Sequence, residues 1–229
     1  MKTVAVITST TGRSTLSQTA DSIAKQTYPC QHYVICDGVS RPQDLNPQIK
    51  VVELPNRTGV NGMMNGAICA MSAFIATEDY ICWIDDDNWI EPNHIESLVE
   101  IINDDHYAYS LRNLMSVSGE FWMRDNCESI GFHGDMIDVN CFMIKRDFAV
   151  KLAPLWYNTT GTLMVGDRYV FNALRQNKIL GKCTGLYTVN YRLSNNRDLR
   201  PFFFLNNIKM QSHFPQGFPW DKTPIKSST

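Results

Sequence analysis

Tyr80-Ile81-Cys82-Trp83-Ile84-Asp85-Asp86-Asp87-Asn88-Trp89 is the stretch on which the fold turns. Its first five residues are apolar and carry the β-branched and aromatic side chains of a buried strand. Three carboxylates follow at once. Like charges this close repel one another, and buried ones must be paired or ligated. A cluster at the end of a buried strand therefore suggests a cation. Carboxylates are hard oxygen ligands, suited to Mg2+ or Mn2+ rather than to a thiolate metal. On an extended backbone Asp85 and Asp87 point to one side. Such a site keeps positions open for water and substrate phosphates. The competing reading is a solvated acidic turn ahead of a helix that starts near Glu91-Pro92.

Upstream of this stretch, strands and helices alternate. Thr3-Val4-Ala5-Val6-Ile7-Thr8 reads as a short buried strand, followed by a polar loop over residues 9–13. Ser14 is placed to cap a helix over residues 14–25, with Leu16, Thr19, Ala20 and Ile23 on one face. Tyr33-Val34-Ile35-Cys36 is a second strand that stops at Asp37-Gly38, and Lys50-Val51-Val52-Glu53-Leu54 a third. A glycine-rich entry from Gly59 to Gly66 leads into a helix containing Ile68, Met71 and Phe74, and residues 92–103 form another helix. This alternation predicts an α/β fold with a mostly parallel sheet flanked by helices. Ligands of such sheets bind beyond the carboxyl ends of the strands. Ser9, Asp37 and the three aspartates all follow strands, so they should converge on one edge. The second half is less regular. Residues 106–123 read as irregular strands, Val139-Asn140-Cys141-Phe142-Met143-Ile144 as a clean strand, residues 146–152 as a short helix, 166–174 as a further helix and 186–191 as a last strand.

With 229 residues and 44% hydrophobic content, the chain can bury one sizeable core. A net charge of −2 gives no overall argument for nucleic acid or membrane. The charge is uneven, however: residues 192–229 hold six Lys/Arg against two Asp/Glu, together with Phe202, Phe203, Phe204, Phe214, Phe218 and Trp220. A basic, aromatic tail suits packing on its own core. It also permits contact with an anionic polymer, a membrane surface or a partner subunit, including a second copy of the chain. The seven cysteines form no Cys-x-x-Cys pair. Cys36, Cys69, Cys82 and Cys141 sit in apolar stretches and read as buried thiols of a reducing compartment, while Cys30, Cys127 and Cys183 are undecided. The chain begins on a strand without a signal peptide, and no apolar run reaches the roughly 18 residues of a membrane helix. A cytoplasmic protein is expected.

Four segments, in order, resemble the inverting family 2 glycosyltransferases of GT-A fold. They are Val4-Ala5-Val6-Ile7-Thr8-Ser9 with the helix ending Ser22-Ile23-Ala24-Lys25-Gln26-Thr27; Val34-Ile35-Cys36-Asp37-Gly38; Asn65-Gly66 leading to the three aspartates; and Gly166-Asp167. The match spans residues 3 to about 191. Cys36 stands where the family often has the first of two aspartates, and Met64 where it often has Arg. About four extra residues, roughly one helical turn, lie between Asn65 and Asp87. The resemblance implies one GT-A domain over residues 1–191, with a nucleotide-binding half (about 1–104) and an acceptor-binding half (about 105–191). Residues 192–229 would then pack on the domain or meet an acceptor or partner.

The resemblance also implies roles. The donor would be a nucleoside-diphosphate sugar, most readily UDP-linked, and the cofactor Mn2+ or Mg2+. Asp87 would ligate the metal, with Asp85 a second contact, and Asp86 would meet the donor ribose or sugar. Asp37 would accept a hydrogen bond from the base, although a strand-end Asp before Gly38 is also ordinary turn chemistry. Asn65, Ser9 and Thr11 fall among donor-binding positions; for Ser9 and Thr11 simple loop chemistry competes. Arg13 would grip a phosphate, or be a surface charge near a helix start. Asp167 would be the general base, its pKa raised by an apolar pocket with Trp156, Met164 or Tyr169 nearby. Alternatively it caps the helix that starts at Arg168. His133 and Asp135, in a Gly-flanked loop, could line the acceptor pocket or be solvated, and residues 191–197 could form a loop over the donor. The acceptor is not encoded legibly: a saccharide or lipid-linked sugar is the family default, and the basic tail permits a polyanion such as modified DNA. A nucleotidyltransferase and a nucleotide-sugar-binding protein without turnover are the rival functions.

Overall fold

The computed structural model describes residues 1–60, 63–126, 128–131, 136–157 and 166–193. The strands are β1 (Val4–Thr10), β2 (Gln31–Asp37), β3 (Lys50–Leu54), β4 (Tyr80–Trp83), β5 (Trp89–Ile90), β6 (Tyr107–Met115), β7 (Phe121–Arg124), β8 (Phe142–Lys145) and β9 (Lys182–Arg192). The helices are α1 (Leu16–Ala24), α2 (Gly66–Ile75), α3 (His94–Ile102), α4 (Arg146–Trp156) and α5 (Gly166–Gln176). All nine strands join one sheet in the order β3-β2-β1-β4-β8-β6-β9-β5, with β7 on the side of β6.

β3, β2, β1 and β4 are parallel to one another. β8 is inserted antiparallel between β4 and β6, while β6 and β9 again run parallel. The result is a mixed, mostly parallel sheet flanked by helices, as the alternation predicted. Val4, Ala5, Val6 and Ile7 of β1 and Ile81, Cys82 and Trp83 of β4 are all at most 2% exposed, so these central strands are covered on both faces. That is why they read as continuous apolar runs. The chain steps outward from β1 to β2 to β3, then returns to place β4 on the other flank of β1. The gap beyond the carboxyl ends of β1 and β4 is therefore the switch point at which sheets of this kind bind ligands.

The second half corrects several expectations. Residues 107–115 form one nine-residue strand whose register shifts against β9 and β7 bear out the irregular reading, and β7 follows after a turn. Its polar residues Ser110 and Arg112 are buried with the apolar residues around them. Residues 139–141 are a turn of 3-10 helix rather than strand. Asp138 causes this: its carboxylate accepts the backbone N–H of Asn140 at 2.9 Å, which competes with a strand ladder. α4 runs on to Trp156 through Pro154. A proline removes one helical hydrogen bond, but buried Leu152, Ala153 and Trp156 hold the last turn against the core. β9 begins at Lys182, well before residue 186, and bends through Gly185, whose φ of 71° favours glycine. β1 continues to Thr10, α1 begins only at Leu16 with Thr15 rather than Ser14 at its cap position, and β5 was not foreseen.

α4 ends against the starts of two other helices. A Cβ on Gly66 would lie 2.5 Å from the backbone oxygen of Trp156, and one on Gly166 would lie 2.8 Å from it. The two glycines let α2 and α5 close on this carbonyl, which fixes their neighbours Asn65 and Asp167. Gly66→Ala is expected to cost about 1–3 kcal/mol through overpacking, measured by urea denaturation. A variant as stable as wild type would show that the contact relaxes freely.

Of the cysteines, Cys36, Cys69, Cys82 and Cys141 are buried and free as expected, and Cys30 and Cys183 are free and partly buried. Cys127 lies outside the described residues. Among the described residues no helix is long and apolar enough to cross a membrane.

Candidate active site

A cleft of about 620 Å3 opens at the switch point. Ser9, Thr11, Arg13, Asp37, Asn65, Asp85, Asp86, Asp87 and Asp167 all line it. These nine residues come from loops, strand ends and the first turn of α5, up to 158 positions apart in the chain, and the topology brings them together.

The three aspartates do not continue an extended strand. β4 stops at Trp83, and the N–H of Asn88 donates to the Asp85 carbonyl at 3.1 Å, closing a turn. Asp85 and Asp87 are therefore not aligned by strand alternation. Each carboxylate has its own partners. Asp85 accepts one bond from the Asn65 amide at 2.7 Å and one from the Asn140 amide at 3.0 Å, while its N–H donates to the Asn140 side chain at 2.7 Å. Asp86 accepts the Thr10 hydroxyl at 2.6 Å and the Arg13 guanidinium at 3.2 Å. Asp87 pairs with the same guanidinium. Burial raises the Asp85 carboxyl to about 7, with the charges of Asp138, Asp87 and Asp86 adding to the effect. Burial also raises Asp87, and Arg13 opposes it.

The turn is held from outside as well. The Thr19 hydroxyl of α1 donates to the Asn88 carbonyl at 2.6 Å. Arg192, at the end of β9, donates from Nε to the Asp87 carbonyl at 3.1 Å and lies over the Trp89 ring.

Asp37 ends β2, and its two oxygens accept the backbone N–H groups of Thr58 at 2.6 Å and Gly59 at 3.2 Å. It thus orders the loop before Asn65 and still faces the cleft. Ser9 and Thr11 line the cleft, and Thr10 between them, at the end of β1, donates to Asp86. Asp167 is the second residue of α5, not its cap, and one oxygen accepts the Arg168 N–H at 2.8 Å. Burial raises its carboxyl to about 7, with Asp138 adding and Arg112 and Arg168 opposing. Trp156 lines the cleft with it; Tyr169 is not in the wall, and Met164 lies outside the described residues.

The sequence reading missed Arg57, Arg112, Glu128, Asp138 and Arg168, which also line the cleft, and Asn140 behind Asp85; Tyr191, expected in a loop over the donor, lines the cleft from within β9. A signal was present for Arg112, a lone arginine within a strand-length stretch. His133, Asp135 and residues 194–229, including the basic aromatic tail, lie outside the described residues.

Whether these residues fit a divalent cation is a question of donors. Among the described residues no group of three or more His, Cys, Asp or Glu surrounds one point. Two carboxylates of hard oxygen, Asp85 and Asp87, are what Mg2+ or Mn2+ uses when the rest of its shell is substrate phosphate and water. Burial, and the charges of Asp138, Asp87 and Asp86, disfavour the ionised Asp85 carboxyl, a cost that a bound cation would offset. The donor set fits.

The profile of glycosyl transferase family 2 matches residues 4–175. The chain belongs to this family. Among solved structures, it resembles S. aureus TarS 1-349 in complex with UDP-GlcNAc, with a TM-score of 0.61 and 14% identity over 87% of this chain and 61% of that one. It also resembles S. aureus TarS 1-349 in complex with UDP, with a TM-score of 0.57 and 16% identity over 91% of this chain and 64% of that one. At such identity the likeness shows the fold. An uncharacterized protein of Haemophilus influenzae is 36% identical over 61 residues, which make up 27% of this chain and 38% of the relative. The chain thus spans less than two thirds of these relatives. The family 2 match covers both the acidic turn and Asp167.

Proposed function

We propose that this family 2 protein is a metal-dependent inverting glycosyltransferase that moves a sugar from a UDP-linked donor to an acceptor hydroxyl. The observation that carries the reading is that Asp167, with its carboxyl raised to about 7, shares one cleft with the acidic turn of Asp85, Asp86 and Asp87. TarS, of the same fold, binds UDP and UDP-GlcNAc, which supports the choice of donor.

Asp37 and the loop it orders would receive the uracil end of the donor, and Asp86 the ribose or sugar. Asp87, with Asp85, would hold Mn2+ or Mg2+, which when bound neutralises the charge that builds on the departing diphosphate. Asn65 and Asn140 orient Asp85. Arg13, paired with Asp86 and Asp87 in this structure, is the cation that can turn to a donor phosphate. Asp167 would take the proton of the acceptor hydroxyl as that oxygen bonds to the anomeric carbon. The bond from that carbon to the diphosphate breaks, UDP leaves with the electron pair, and the centre inverts. A base near pH 7 suits this task better than an ordinary aspartate, since it is a stronger proton acceptor while still ionised in good part at neutrality.

The test is UDP release from UDP-GlcNAc and other UDP-sugars in Mn2+, with saccharide acceptors and with water alone. The rate is expected to rise with pH through about 7, as Asp167 loses its proton. A profile flat between pH 5 and 8 would remove Asp167 from the base role. Absence of turnover with every donor would favour a nucleotide-sugar-binding protein.

A further inference from the structure

A charge cluster stands in the cleft wall, where Arg112, Glu128, Asp138 and Arg168 all line it. Arg112 of β6 is 3% exposed, and Asp125 and Asp138, which it pairs with, are 0% and 4% exposed. Its Nε donates to Asp125 at 2.7 Å, one terminal nitrogen reaches Asp138, and the other reaches Glu128 at 3.3 Å. The Tyr191 ring covers the guanidinium, 4.5 Å from its centre. Glu128 also pairs with Arg168, the residue after Asp167. On its other side, Asp138 accepts the Asn140 amide at 2.7 Å, and the same amide reaches Asp85. Two arginines thus face three carboxylates in this wall, before Asp167 is counted.

An unpaired buried charge is strongly unfavourable, so Arg112 is required wherever Asp125 and Asp138 are ionised. A simpler apolar wall would avoid this requirement altogether. The cluster lines a cleft, and its members reach both the acidic turn and the start of α5.

The geometry points to Arg112 as a positioning residue for the proposed transfer reaction: it holds Asp138, and the balance of the two charges governs how readily Asp167 serves as a base. The inference rests on the reading of Asp167 given above. The charged and titratable groups that line the cleft with Asp167 are Arg112 from β6, Asp138 from the loop before the 3-10 turn, Arg168 from α5, the acidic turn of Asp85, Asp86 and Asp87, and Tyr191 from β9, with Glu128 tied to both arginines. The Cys69 thiol of α2, which the Asp167 charge also reaches, is pushed up by burial and stays neutral. Asp138 therefore opposes ionisation of Asp167, while Arg112 and Arg168 favour it. Removing Arg112 and removing the charge of Asp138 should act in opposite directions, which general loosening of the cleft would not do.

The experiment follows the Asp167 carboxyl directly, by carbon-13 NMR titration of protein labelled at aspartate, with its resonance assigned by loss in Asp167→Asn. Asp138→Asn is expected to lower the titration midpoint by about one pH unit, and Arg112→Met to raise it by about one unit or more. Arg112→Lys, which keeps a charge in place, should shift it less than Arg112→Met. If Arg112→Met does not fold, Asp138→Asn and Arg112→Lys decide. A midpoint unmoved by Asp138→Asn, or moved upward by it, overturns the inference. UDP release from UDP-GlcNAc in Mn2+, measured on the same proteins against pH, separates the two readings. Wild type with a rising limb near pH 7 that neither Asp138→Asn nor Arg112→Lys displaces defeats the role of Arg112 alone. Wild type that releases no UDP while the NMR midpoints still shift defeats the transferase reading, and with it the role of Arg112 in transfer.

Discussion

Asp167→Asn is expected to slow sugar transfer by about 10^2–10^4-fold, the usual contribution of a positioned general base. Donor affinity should stay within about threefold of wild type, because binding falls to the other end of the cleft. The amide keeps the shape of the carboxyl, and its oxygen can still accept the Arg168 N–H, but it cannot take a proton from an acceptor. Stability provides a control. The Asp167 carboxyl is raised from the ordinary 3.8 to about 7 in the folded chain. A group raised in this way contributes most below its unfolded value, and that contribution is lost as pH rises through about 7. The asparagine variant should therefore gain in melting temperature relative to wild type at pH 8 and lose that advantage near pH 4. An inactive variant with this stability pattern would be a folded enzyme lacking its base. One that transfers sugar at the wild-type rate would show that Asp167 only supports the start of α5.

Asp87→Ala carries the second large effect. If Asp87 is a metal ligand, its removal should lower Mn2+-dependent donor affinity by more than about 100-fold, since even outer partners of ligands account for 10–100-fold. The weaker metal-independent binding, through Asp37 and its loop, should survive. The variant also deprives Arg13 of one of its two carboxylate partners, so metal-free affinity for UDP may be compared directly as a measure of Arg13 acting on phosphate. Titration calorimetry with and without Mn2+ reads both. Retained Mn2+-dependent affinity would refute the ligand assignment.

The first half of this fold was legible because its central strands are covered on both faces. β1, β2 and β4 announce themselves as unbroken apolar runs, and the polar residues that follow each run fall at one sheet edge by topology alone. The second half was less legible, although β6 is buried as well. β6 carries Ser110, Arg112 and Asn113, polar letters that in isolation argue against a buried strand; what lets them be buried is the set of partners on β9 and in the loops around Asp125 and Asp138, which only the tertiary structure supplies. The same applies to the site. Asp85 could be picked from its place after a strand, and Asp167 from the family resemblance of Gly166-Asp167. Asn140 and Asp138, which connect Asp85 to Arg112, lie in a segment whose apolar neighbours read as plain strand. Thr10, which the sequence reading did not single out, lines the cleft beside Ser9 and Thr11, and its partner Asp86 is 76 positions away in the chain.

The most direct test of the central claim is calorimetric titration of wild-type protein with a panel of nucleoside-diphosphate sugars, with and without Mn2+. The account predicts saturable binding of a UDP-linked sugar that is strengthened by Mn2+, and no comparable binding of donors with other bases. If no nucleotide sugar binds in either condition, the cleft is not a donor site and the account is contradicted.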